Sequence, residues 1–239
     1  MGIIKVNSLE EIGLPNKNIM QGNNGYIFNY GNEYFKLLNP RYMNLDERVN
    51  FNRLRILEQL SDLKGTKYLV LPKDIYVTDK EIFGYTMDIC PGKKFDFLLD
   101  SVSYDLVVNA VINLLEDIRK LCNLGILNID ICSSNVLFDD INLYLLDFDN
   151  SVYFDDKEKA YLLMAASLVN LSLGKILDLD RLEWFLDIDI NYMKEGIDRL
   201  ESSNYQGFLW LIKAKTRGIL GKESLTIGDI RRCLRKREF

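Results

Sequence analysis

The 239-residue chain contains no histidine. That absence removes imidazole as a base, a nucleophile or a metal ligand, so acid–base chemistry must fall to carboxylates, lysine, tyrosine or cysteine. Cysteine is also sparse. Cys90, Cys122, Cys132 and Cys233 include no C-x-x-C pair, so neither a zinc site nor a disulfide framework is suggested, and the four read as reduced thiols. No apolar run reaches the roughly 18 residues that a membrane span requires. The first thirteen residues lack the charged and apolar regions of a secretory signal, and Val6 stands where a myristoylation signal wants Ser or Thr. The expected location is the cytoplasm, with no membrane partner. Positive charge is not in excess either: a net charge of -5 argues against nonspecific nucleic-acid binding. One local exception, Arg231, Arg232, Arg235, Lys236 and Arg237, reads as the solvated, cationic end of a last helix.

What is present suffices for a core. With 48% apolar residues, the chain can build one large domain or two small lobes. From Asn18 to Leu38 the residues alternate and pause at Gly22, Gly25 and Gly31, the pattern of a β-meander. Residues 45–63 place Val49, Leu54, Ile56, Leu57, Leu60 and Leu63 at helical spacing. Two further strands are expected in KYLVLPKDIYV and EIFGYTMDI, with Pro91-Gly92 ending the run. A lobe boundary is drawn there, giving 1–88 and 89–239. Beyond it the period becomes helical: 104–122, then roughly 157–172, 180–202, 205–215 and 227–237. The break in this second lobe is a short hairpin, NVLF and LYLL, around Asp139 to Asn142.

Three segments carry chemistry. In NIDICSSNVLF, Asp130 and Asn135 are separated by four residues, a hairpin follows, and Asp147 stands at the end of its second strand. Asp and Asn are common turn residues, so the spacing to Asp147 gives the motif its weight. The second segment, QGNNGYIF, lies ahead of Lys36 in EYFKLL. Backbone approaches phosphate closely only where side chains are absent, and a strand fixes the reach of a lysine. The third is YTMDICPG, from Tyr85 to Gly92.

Together these segments resemble the protein-kinase-like superfamily, and the D-x-x-x-x-N with its following Asp is similar also to aminoglycoside and choline kinases. The resemblance implies an α+β, two-lobed fold with a small β-rich N-lobe carrying one helix and a reduced, mainly helical C-lobe. It implies transfer of the γ-phosphoryl group of ATP to a hydroxyl on a protein or a small molecule, with a slight lean to a protein. Asp130 would be the base, and Asn135 and Asp147 would hold Mg²⁺ or Mn²⁺. Gly22, Asn23, Asn24 and Gly25 would cover the phosphates and Lys36 would bind them. Met87 would line the adenine pocket, with the backbones of Asp88 and Cys90 pairing with its edge. Glu47 or Glu58 would pair with Lys36, Glu47 being preferred, although Asn44 and Glu47 also read as a helix capping box.

The departures from the family pattern are specific. Asn128 replaces the usual loop histidine, a structural rather than a basic residue. Cys132 and Ser134 occupy the places of phosphate-contacting lysine and arginine in the protein-kinase subclasses. Arg53 stands where the helix glutamate is expected, Asp149 replaces the glycine of Asp-Phe-Gly, and no activation segment precedes the helix after Phe154. A pseudokinase, binding nucleotide or a partner without catalysis, is the rival expectation, and a nucleotidyl transferase a third.

Overall fold

The alternation seen between Met20 and Asp88 becomes a six-stranded sheet. The computed structural model describes residues 2–22, 24–39, 47–79, 81–95, 100–176 and 202–235. Strands β1 (Ile3–Lys5), β2 (Met20–Gly22), β3 (Gly25–Tyr30), β4 (Glu33–Leu38), β5 (Pro72–Val77) and β6 (Ile82–Asp88) are ordered β1-β5-β6-β4-β3-β2. All neighbours are antiparallel except β1, which lies parallel to β5 with Ile3 opposite Ile75. The sequence pattern gives no hint of β1, because its three residues are too few to show a period.

Helix α1 (Glu47–Asp62) buries Leu57 against the sheet, and Ile56 and Leu60 in the core it shares with the helical half. Val49, placed on that face by spacing, is instead exposed, as is Phe51. Leu57 joins Leu38, Ile75, Val77, Ile82 and Tyr85 in one apolar cluster.

The larger core belongs to the helical half. Helix α2 (Tyr104–Asn123) buries Val107, Val111, Leu114, Ile118 and Leu121 at three- and four-residue steps, the period of one helix face. They meet Met164 and Leu168 of α3 (Lys157–Ile176), Ile212 of α4 (Ser202–Leu220) and Ile230 of α5 (Ile227–Arg235). Truncating one such fully buried leucine costs about 2–5 kcal/mol. The helix expected at 180–202 falls almost wholly outside the described residues. α5 is closed by a capping box: the Asp229 carboxylate accepts the Thr226 N–H at 3.0 Å, and the Asp229 N–H donates to Thr226 Oγ1 at 3.2 Å. The cations at this end are ion-paired, Arg231 to Asp100 and Arg232 to Asp229.

Short strands join the halves. β7 (Lys93–Lys94) leaves the large sheet and pairs with β9 (Val136–Phe138), which pairs in turn with β10 (Leu143–Leu145). β8 (Ile126–Asn128) pairs with β11 (Ser151–Tyr153). Of the residues expected to extend β5 backward, Tyr68 and Val70 do form backbone bonds, but to Leu145. Pro72 has no N–H for a ladder, so the strand starts there. The buried Asp117 carboxylate fastens this crossing by accepting the N–H groups of Lys67 at 2.7 Å and Tyr68 at 2.8 Å. β10, which leads to Asp147, is thereby tied to the segment that enters the large sheet.

Candidate active site

The hairpin between β9 and β10 is held by Asp139, whose carboxylate accepts Ile141 N–H, Asn142 N–H and the Tyr144 hydroxyl. Three donors hold its carboxyl below the ordinary aspartate range despite its burial. A rigid turn here fixes the residues at both ends of the hairpin, Asn135 before it and Asp147 after it. Leu146 N–H donates to Asn135 O at 2.8 Å, so the two ends lie side by side.

Asp130 and Asn135 close a loop on themselves. Asn135 Nδ2 donates to Asp130 O at 3.0 Å, and Asn135 N–H donates to Cys132 O at 3.0 Å. Asn128 spans the loop and the Asp147 segment: its Oδ1 accepts the Asp130 N–H at 2.9 Å, and its Nδ2 donates to Asp147 O at 3.0 Å. An amide donates and accepts at once, which is why asparagine can serve where a histidine would. Asp130 is half-buried, its Oδ2 accepting Asn150 Nδ2 at 3.2 Å. Cys132 Sγ lies 3.0 Å from Ser134 Oγ, and no disulfide joins the four cysteines.

Lys36 enters from β4, opposite Ile27 of β3 and Tyr85 of β6. Its ammonium is buried between two carboxylates, 2.6 Å from Asp147 Oδ1 and 2.5 Å from Asp149 Oδ2. Asp149 Oδ1 accepts the Tyr85 hydroxyl at 2.8 Å. Burial acts against the charge on Lys36, but the two carboxylates outweigh it and raise its pKa. Burial pushes Asp149 up to about 6, against the pull of Lys36. Burial first, then the two carboxylates, hold the Tyr85 phenol protonated, hence a donor. Asp147 has φ of 62°, a left-handed backbone that an aspartate tolerates better than most residues.

The glycines divide by role. Gly22 and Gly25 face each other across the β2–β3 turn, with Asn24 in the turn and Asn23 outside the described residues. A Cβ on Gly25 would lie 2.1 Å from Leu37 O of β4, whereas one on Gly22 meets nothing within 4 Å. Strand packing thus requires glycine at 25 and places no such demand at 22. Gly84, which sequence spacing does not single out, has the same constraint as Gly25: its Cβ would lie 2.0 Å from Lys36 O.

In the third segment Met87 packs against the cluster beneath the sheet, and Asp88 ion-pairs with Lys73 at the end of β6. Cys90 is half-buried, and burial pushes its thiol up to about 12. Gly92, at φ of 114°, lies against Phe138 of the hairpin strand β9. The segment thus runs from the sheet directly onto the hairpin.

The structure therefore brings together Lys36, Asp130, Asn135 and Asp147. Glu47 opens α1, and its side chain lies outside the described residues. Glu58 makes no ion pair with Lys36, whose partners are Asp147 and Asp149. Sequence reasoning missed the work of Asp149, Asn150 and the Tyr85 hydroxyl. The signal for Asp149 was its presence at a position where the family pattern has glycine.

Comparison with solved structures decides the architecture. The fold is protein-kinase-like. A double-mutant form of the PknI kinase domain of Mycobacterium tuberculosis matches with a TM-score of 0.57 at 17% identity, covering 83% of this chain and 94% of that one. The PknI kinase domain without those substitutions matches with a TM-score of 0.51 at 17% identity, over 66% of this chain and 71% of that one. Neither a protein-family model nor a curated protein sequence matches the chain. The two-lobed α+β arrangement, a β-sheet lobe with one helix and a mainly helical lobe, is shared with these kinase domains. No helix among the described residues is long and apolar enough to cross a membrane.

Proposed function

We propose that the chain is an ATP- and Mg²⁺-dependent phosphotransferase that moves the γ-phosphoryl group to a hydroxyl acceptor, more readily a protein than a small molecule. The observation that carries this reading is the convergence of Lys36, from the sheet, on Asp147, whose neighbour Leu146 is bonded to Asn135 in the Asp130 loop. Residues 1–88 form the nucleotide lobe in this reading, and 89–239 the lobe that carries the loop.

Phosphoryl transfer asks a protein for position and charge neutralisation, and this donor set fits. Asn135 is turned so that Nδ2 is spent on Asp130 O, which leaves Oδ1 as a hard oxygen, met among the described residues only by Ser134 Oγ at 3.3 Å. Asn135 and Asp147 would hold the cation, which neutralises phosphate charge when bound. Lys36 binds the α- and β-phosphates, Gly22, Asn23 and Asn24 cover them, and the backbones of Asp88 and Cys90 hold the adenine edge with Met87 behind it.

Asp130 takes the proton of the acceptor hydroxyl. Asn150 occupies Oδ2, and Oδ1 has no protein partner among the described residues, so one oxygen faces the acceptor. As the acceptor oxygen bonds to the γ-phosphorus, the bond from that phosphorus to the β–γ bridging oxygen breaks, and ADP leaves with its electron pair. Asp130 is not needed for holding nucleotide, so its retention favours catalysis over a pure binding module. The test is incubation with γ-labelled and α-labelled ATP in parallel with candidate acceptors. Transfer of the γ label alone supports the reading, whereas transfer of the α label identifies a nucleotidyl transferase and no transfer to any hydroxyl a binding module.

A further inference from the structure

Among the described residues Lys36 meets two carboxylates, both from the segment that follows β10. The two are not equivalent. The Asp147 side chain is 20% exposed, the Asp149 side chain only 3%. Asp149 is also held on both oxygens by the sheet, Oδ2 by Lys36 of β4 and Oδ1 by Tyr85 of β6, and these two donors are cross-strand partners. Side chains opposite one another on neighbouring strands share a face, so the ladder itself aims the ammonium and the phenol at one point. A buried carboxylate gripped at both oxygens has little freedom to leave. On α1, the Arg53 charge acts on the Tyr85 phenol.

We propose that Asp149 is the standing partner of Lys36, positioning the lysine from within the Asp147 segment. This rests on Lys36 being the phosphate-binding lysine. Asp147 can then turn to the cation without releasing the lysine, because Asp149 retains it. Asp149 is a positioning residue, since it acts on phosphate only through Lys36.

The test has two arms. In nucleotide-free protein, thermal unfolding is measured for Lys36→Met, Asp149→Asn and the double variant. Breaking a buried pair strands one charge, so each single change should lower Tm by about 5 °C or more, and the double should regain most of it. If Asp149→Asn alone yields no folded protein while the double folds, the pairing stands. An additive double, or equal coupling of Lys36 to Glu47 or Glu58 in parallel cycles, overturns it. In the second arm, ATP and adenosine affinities are compared. Losing a charge-assisted lysine contact corresponds to about tenfold or more, so Asp149→Asn should reduce the preference for ATP over adenosine by that factor, and have no further effect in Lys36→Met. Equal weakening of both ligands would mean a merely structural role and refute the positioning claim. If the wild type does not distinguish ATP from adenosine, the phosphotransferase reading fails, and the unfolding cycle still decides the pairing.

Discussion

Asn150 holds Asp130: its side-chain Nδ2 lies 3.2 Å from Asp130 Oδ2. The segment 147–150 therefore supplies both carboxylates that meet Lys36 and the amide that holds Asp130, in four consecutive residues. Asn150→Ala should leave ATP affinity unchanged and lower the transfer rate by about tenfold, the value of one orienting hydrogen bond. Single-turnover kinetics checks this, and an unchanged rate would remove Asn150 from the site.

Asp130→Asn separates binding from chemistry. A base acts on the acceptor hydroxyl and contributes little to holding nucleotide, so transfer should fall by about 10² or more with ATP affinity and Tm nearly intact. A turn residue would instead lose folded protein in proportion to activity. Measuring rate, affinity and Tm on one preparation distinguishes the two.

Much of this arrangement was legible because its spacing is local. The distances in sequence from Asp130 to Asn135 and from the hairpin to Asp147 follow from one tight loop and one short hairpin, and periodicity located α1, α2 and α3 within a few residues. What was not legible depends on contacts far apart in the chain. One partner of Lys36, Asp149, lies 113 positions away by number, too far for any local spacing to reveal. Gly25 read as a phosphate-loop glycine, and the close approach of Leu37 O on the neighbouring strand is a second demand for glycine there that no local spacing shows. β8 and β11, three residues each, have too little length for a period.

Those two glycine roles predict opposite phenotypes. Gly25→Ala places a methyl 2.1 Å from Leu37 O, so the β3–β4 pairing must shift and stability should fall by several kcal/mol, on the order of 2–4. Gly22→Ala meets nothing and should keep its Tm while weakening ATP binding. Thermal unfolding with and without ATP checks both; equal Tm losses would contradict the division.

Nucleotide binding should tighten on adding Mg²⁺ or Mn²⁺, because Asn135 and Asp147 present hard oxygens. Asp147→Ala should abolish this dependence while adenosine still binds. Calorimetry with and without the cation provides the measurement, and an ATP affinity indifferent to Mg²⁺ in the wild type would refute the assignment.

The last prediction concerns stability alone. Asp229 caps α5 by accepting the Thr226 N–H, and Lys222 and Arg232 also hold its carboxylate. The Thr226 N–H, with those cations, lowers its native pKa well below the ordinary value, more than burial raises it. The group therefore binds its proton more weakly folded than unfolded, so its contribution is fully present above the unfolded pKa of about 3.9 and is lost as pH falls through the depressed native value. Asp229→Asn should cost about 1–2 kcal/mol at pH 7, and the gap to wild type should narrow steadily below about pH 4. Because α5 packs through Ile230 into the main core rather than onto the Lys36 cluster, the ATP preference over adenosine should not change at neutral pH. Denaturant unfolding of both proteins across the acid range tests this. A stability difference that stays constant from pH 7 to pH 3 would mean that the asparagine fails for lack of shape, not of charge.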